Sequence, residues 1–231
     1  MNLLEKERVI TEAADEFEHK SPQDLLAWAV KTFPNLTLAC SFGAEDVVLV
    51  DMLYKIQPDA DIFYLDTDFH FQETYETRDR ILERYPNIRL IQVKPKLTPE
   101  EQAEKYGDEL WKQDPNACCN IRKVEPLTET LGKYEAWITG IRREQAPTRA
   151  NAKKVEYDTK FGLVKFNPLA DWSHDDGWQY ISEHQIAYNP LHDQNYPSIG
   201  CHYCTRPVQP GEDPRAGRWA GTDKTECGLH K

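Results

Sequence analysis

"LTLACSFGAEDVVLVDMLYKI" (residues 36–56) decides the architecture. The run 36–41 is short and apolar, the pattern of a buried strand. A single glycine follows, and then "AEDVVLVDMLYKI" has helical period. The same alternation continues outward. "ADIFYLDTD" (60–68) reads as a strand ending in acidic residues, "FQETYETRDRILERY" (71–85) as a helix and "IRLIQVKP" (88–95) as a third strand. Upstream, residues 2–33 read as helical, with Ser21-Pro22 as cap and first turn. Downstream, "YEAWITGI" (134–141) is a further strand, "VEYD" and "LVKFNPL" (155–169) suit a hairpin or two late strands, and "SHDDGWQYISEHQ" (173–185) is a Ser-capped helix. Strands alternating with helices predict an α/β fold: an open, mainly parallel sheet flanked by helices, with right-handed crossovers. From about residue 187, Pro, Gly and Asn are frequent. The expected division is a nucleotide-binding α/β domain over 1–200 and an irregular C-terminal segment over 201–231, with no internal repeat.

A chain of 231 residues can bury a core without staples. Apolar runs stay below ten residues, too short to span a membrane. The polar, acidic N-terminus shows no targeting peptide, so the cytoplasm is the expected location. Net charge is −11. Residues 1–117 carry −11 and residues 118–160 carry +3. No broad basic face suggests nucleic acid. A local basic zone suits a small anionic ligand better.

"CSFGAED" (40–46) lies between strand and helix, where open sheets bind ligands. Its Ser-Phe-Gly turn can offer N–H groups and a hydroxyl to an anion, although a plain structural turn explains it equally well. It is neither Walker A nor GxGxxG. Asp66 and Asp68, at the next strand end, can meet a ribose or base; helix capping by Asp68 is the plainer alternative. His70 reads as packed or surface, and Cys40 as a buried strand residue.

Six cysteines without a secretory signal argue against a disulfide framework. Cys118 and Cys119 are adjacent, whereas Cys201 and Cys204 form C-x₂-C. Four thiolates suit zinc or a [4Fe–4S] cluster. Adjacent cysteines make a poor zinc knuckle but can reach two neighbouring irons, which favours the cluster over zinc. A metal-free thiol cluster is the third alternative. Arg122, Lys123 and Arg206 lie beside these pairs and would offset an anionic centre. Arg142, Arg143, Arg149, Lys153 and Lys154 could converge on an anion, and the later segment adds Arg215 and Arg218. Solvated loop charge is the better reading for Lys153 and Lys154. The sixth cysteine, Cys227, sits four residues from the end, with His230 three residues beyond it.

"SFGAED", "LDTDFHFQET", "CCNIRKVEPL", "TGIRREQAPTR", "CHYCTRPVQPGEDPRAGRW" and "ECGLH" occur in that order from residue 41 to 230. Together they resemble the assimilatory sulfonucleotide reductases, which act on adenylyl sulfate (APS) or phosphoadenylyl sulfate (PAPS). The resemblance implies an adenine-nucleotide-binding fold related to the ATP pyrophosphatases. It implies a [4Fe–4S] cluster on Cys118, Cys119, Cys201 and Cys204, and Cys227 as nucleophile. It places Ser41, Phe42 and Gly43 at the nucleotide, and Lys123, Arg149, Arg215 and Arg218 at the phosphosulfate; Asp66 joins them as the candidate ribose or base contact. Both cysteine pairs are typical of the APS-using branch, in which some members also accept PAPS. The implied reaction is thioredoxin-dependent reduction of APS to sulfite and AMP in sulfate assimilation and cysteine biosynthesis, with a thioredoxin or glutaredoxin-type dithiol as partner. A homo-oligomer is compatible with it. One rival is an adenylating ATP pyrophosphatase, whose loop is of the SGGxDS kind; another is a non-enzymatic metal module, which leaves the tail thiol unexplained. The tail itself is expected to be mobile, or displaced from the cysteine pairs when no substrate is bound.

Overall fold

The computed structural model describes residues 3–229, with side chains from residue 8 onward. Six strands form one sheet: β1 (Leu36–Ala39), β2 (Asp61–Leu65), β3 (Arg89–Val93), β4 (Ala136–Ile138), β5 (Val155–Asp158) and β6 (Leu163–Phe166). Their order is β3-β2-β1-β4-β6-β5, parallel except for the β5–β6 hairpin. The mainly parallel α/β sheet read from the sequence is therefore present, with one antiparallel edge. Helix α1 (Leu3–Phe17) and helix α2 (Pro22–Thr32) precede β1. The hydroxyl of Ser21 accepts from the Asp24 N–H, so Ser21-Pro22 caps α2 as expected.

Helix α3 (Ala44–Ile56) packs against α2 and against the Ser173-capped α9 (His174–Glu183). Its Val47, Val48, Leu49 and Val50 are all inaccessible, which explains why its apolar residues run around the whole helix. Leu25, Leu38, Ile62 and Phe166 complete this core. Helix α4 (Gln72–Arg84) joins β2 to β3.

Between β3 and β4 run α5 (Pro99–Tyr106), α6 (Leu110–Gln113), α7 (Pro115–Cys119) and α8 (Glu125–Leu131). Residues Asn120–Val124, between α7 and α8, form a π-helical turn. Such turns widen a helix by a residue and recur at functional sites. Chain order reverses direction across the sheet between β1 and β4, which is where ligands bind in open α/β folds. Residues 187–229 hold only two short 3₁₀ turns, Pro190–Gln194 and His202–Cys204. Among the described residues, no helix is long and apolar enough to cross a membrane.

Candidate active site

A cavity of about 530 Å³ opens at the β1/β4 reversal. Its floor is the β1–α3 loop. Phe42 takes a left-handed backbone (φ 59°) and buries its ring edge-on to Tyr64. Ser41 turns inward: its N–H and its hydroxyl both donate to Asp46 Oδ2, at 2.5 and 2.6 Å. The β4 loop packs so closely that a Cβ on Gly140 would lie 2.3 Å from Asp46 Oδ1.

Burial pushes the Asp46 carboxyl up to about 6, against the pull of the two Ser41 hydrogen bonds. Unfolded, this carboxyl loses its proton near 3.8; folded, only near 6. The native state is therefore progressively disfavoured as pH rises through that window. Asp46→Asn removes the effect. Relative to the variant, the parent should lose about 1–2 kcal/mol of stability between about pH 5 and about pH 8. Urea midpoints at the two pH values check this; equal differences at both would refute it.

One wall is cationic. Lys123, on the π turn, is 9% exposed and makes no hydrogen bond or ion pair with any described residue. Burial works to strip its proton, but charge on Cys201, Cys119 and Cys227 outweighs burial and holds the ammonium above the ordinary lysine range. Lys123 thus feels both the cysteine pairs and the tail thiol, with which it lines the cavity. Arg218 donates to Ser198 Oγ (3.1 Å) and Ile199 O (3.4 Å), with its guanidinium over the Trp219 ring. A Cβ on Gly200 would fall 2.3 Å from its Nη2. Arg149 and Arg215 line the same cavity, and so does Cys227.

The tail is docked, contrary to the expectation of a mobile or displaced segment. The physical reason is Glu226. Its carboxylate takes a bidentate pair from Arg149 (3.0 and 2.9 Å) and a third bond from Arg215 (3.1 Å). Burial would raise its pKa, but the two arginines and Thr148 hold it below the usual carboxylate range. Lys224 reaches Asn116, and Lys160 reaches the Gly228 carbonyl. His230 lies outside the described residues.

Other expected residues sit elsewhere. Asp66 is not on the cavity wall; it accepts from Tyr75 (2.7 Å), Gln92 (2.5 Å) and the Asp68 N–H (3.0 Å), so its carboxylate is committed within the fold. Asp68 does not cap α4, whose N-cap is Phe71; it pairs with Lys94 and Arg122. Arg142 reaches the cavity but is paired with Glu45, and Arg143 is paired with Glu18. Lys154 is buried rather than solvated, on Asp171 and the Lys20 carbonyl, whereas Lys153 lines a smaller groove against α1. Arg206 pairs with Glu212, not with the cysteines. His70 is packed, its Nε2 at 2.8 Å from the Leu65 carbonyl.

Cys118, Cys119 and Cys201 are buried and Cys204 is half-buried; all are free thiols. They sense one another. Burial first, then Cys201, Cys119 and Cys204, pushes the Cys118 thiol up to about 12. Burial, then Cys201 and Cys119, pushes Cys204 up to about 11. Among the described residues, no three Cys, His, Asp or Glu side chains gather as a single ion requires. Three buried thiols and one half-buried thiol, close enough to raise one another's pKa, have the donor chemistry of a thiolate-bound metal centre.

The phosphoadenosine phosphosulfate reductase domain matches residues 35–207. The chain belongs to this family. Two adenosine 5′-phosphosulfate reductases illustrate its reductase relatives. That of Halalkalibacterium halodurans is 54% identical over 223 residues, 96% of each chain. Adenosine 5′-phosphosulfate reductase 1 of Bacillus subtilis is 52% identical over 214 residues, 92% of each. The crystal structure of phosphoadenylyl-sulfate reductase from Candida auris superposes with a TM-score of 0.75 at 32% identity, covering 85% of this chain and 96% of that one. FMN adenylyltransferase of Candida glabrata shares the fold alone, at a TM-score of 0.58 and 14% identity over 87% of this chain and 72% of that one. The reductase motifs thus meet around one cavity. Sequence reading passed over Glu226 and Asp46, although each is an acidic residue inside a quoted motif.

Proposed function

We propose that this chain reduces adenosine 5′-phosphosulfate to sulfite and AMP by way of a sulfo group carried on Cys227. The observation that carries the reading is that Cys227 shares one cavity with the Ser41-Phe42-Gly43 loop and with Lys123, Arg149, Arg215 and Arg218. The names of the relatives support the same substrate.

The loop would seat the adenosine, and the cations would take the phosphosulfate. Cys227 Sγ attacks the sulfur of the sulfate, and the S–O bond to AMP breaks with its electron pair on the phosphate. This divides one hard step into two. Cations aimed at the reacting oxygens offset charge as it develops. A thioredoxin- or glutaredoxin-type dithiol then attacks Cys227 Sγ, and sulfite leaves with the S–S pair. The second thiol resolves the mixed disulfide and frees Cys227, so the dithiol supplies both electrons. Cys118, Cys119, Cys201 and Cys204 would hold a [4Fe–4S] cluster, which when bound supplies an anionic field behind Lys123. Six free thiols suit a reducing compartment such as the cytoplasm.

The test is steady-state kcat/KM for APS and PAPS with a thioredoxin, alongside iron and acid-labile sulfide on the same sample. Sulfite and AMP from APS are expected, with about four irons per chain if the cluster reading is right. A preference for PAPS would move the substrate, zinc would refute the cluster, and AMP plus pyrophosphate from ATP would replace the reading altogether.

A further inference from the structure

Glu226 occupies the place where an anionic ligand is expected. It fills the Arg149 fork through Nε and Nη2, and Gln145 takes Nη1 at 2.6 Å. Arg215 Nη2 is shared between Glu226 and the Thr225 carbonyl. Neither guanidinium has a full fork to offer a second anion. The two arginines are also close enough that, after burial, Arg149 is the main influence depressing the Arg215 pKa. Some carboxylate, phosphate or sulfate must therefore lie between them.

We infer that Glu226 is a positioning residue that stands in for the ligand's anion. Docked tail and anionic ligand compete for Arg149 and Arg215, and the arriving ligand displaces Glu226. That the ligand is APS rests on the function proposed above; the competition itself does not. Glu226, only 5% exposed, carries the tail's buried ion pairs, and Leu229, half-buried, packs against the Phe63–Leu127–Trp137 cluster. The contacts of Lys224 and Lys160 are exposed, and exposed contacts hold a chain weakly. Losing the Glu226 contact leaves Cys227 held only by the half-buried Leu229 and by exposed contacts, so arrival of the anion loosens the segment that carries the nucleophile. Lys123 and Arg218 take no part in this latch and remain available to the ligand throughout.

A tail that must first be expelled lowers apparent affinity by the fraction of molecules already open. The experiment uses the metal-loaded full chain carrying Cys227→Ser, which binds without turning over. Adding Glu226→Gln should tighten APS binding by about tenfold or more, while Glu226→Asp stays near the parent. Inorganic sulfate, read by calorimetry, should follow the same order. A mere anchor would give the opposite sign, so equal or weaker binding of both anions by Glu226→Gln overturns the inference. If sulfate follows the order but APS does not bind, the competition stands and the proposed substrate falls. With Cys227 intact, saturating sulfate should speed iodoacetamide labelling of Cys227 in the wild-type chain. Unchanged or slower labelling overturns the inference without recourse to a variant.

Discussion

Cys227→Ser should bind the nucleotide, keep whatever metal the parent carries and release no sulfite above background, a loss of about 10³-fold or more in turnover. In a single turnover with APS and no dithiol, the parent should gain one sulfo-sized mass on Cys227, and the variant should gain none. The size of the effect follows from the lack of a substitute. Cys40 also lines the cavity, but burial and then Asp46 hold its thiol well above the ordinary range, so it stays protonated. Cys118, Cys119 and Cys201 are buried, and Cys204 faces them. A serine hydroxyl is too weak an acid to replace a thiolate without a base beside it. Ordinary sulfite production by the variant would remove Cys227 from the reaction.

Arg122→Ala should lower stability by about 3 kcal/mol, read as a shift in urea midpoint. Arg122 is 1% exposed. Its Nε donates to Gln102 (2.9 Å), its Nη1 donates to the Thr67 carbonyl (3.1 Å) and to Asp68 (3.3 Å), and its guanidinium lies over the Phe69 ring at 4.3 Å. Removal strands a buried glutamine oxygen and a carbonyl in one step. Lys94 still serves Asp68, which keeps the loss at the lower end for a broken buried pair. A midpoint within experimental error of the parent would show that this cluster does not hold α5 and the π turn to the β2 end.

Strand ends and motif loops were legible in the sequence because their signals are local. The apolar run before Ser41, the Ser21-Pro22 and Ser173 caps and the two short strands over 155–169 each depend on neighbours a few residues away. The cavity was legible because the β1/β4 reversal gathers the loops at the carboxyl ends of the strands. Pairings across long stretches of chain escaped. Asp66 reads as a free carboxylate at a strand end, yet Gln92, 26 residues on, takes one of its oxygens. Lys154 reads as solvated, yet it is buried on a carbonyl 134 residues earlier. Nothing local singles out Glu226, and only the folded chain brings Arg149, 77 residues earlier, to it.

Gly200 sits directly before Cys201, where Arg218 passes too close for any side chain. The backbone of the second cysteine pair and an expected anion-binding guanidinium are in this way meshed like the teeth of two gears. A side chain at position 200 would press directly on that guanidinium. A change at the Cys201 thiol, by oxidation or by a metal bound there, would thereby reach the Arg218 side of the cavity through packing, with no electron having passed between them.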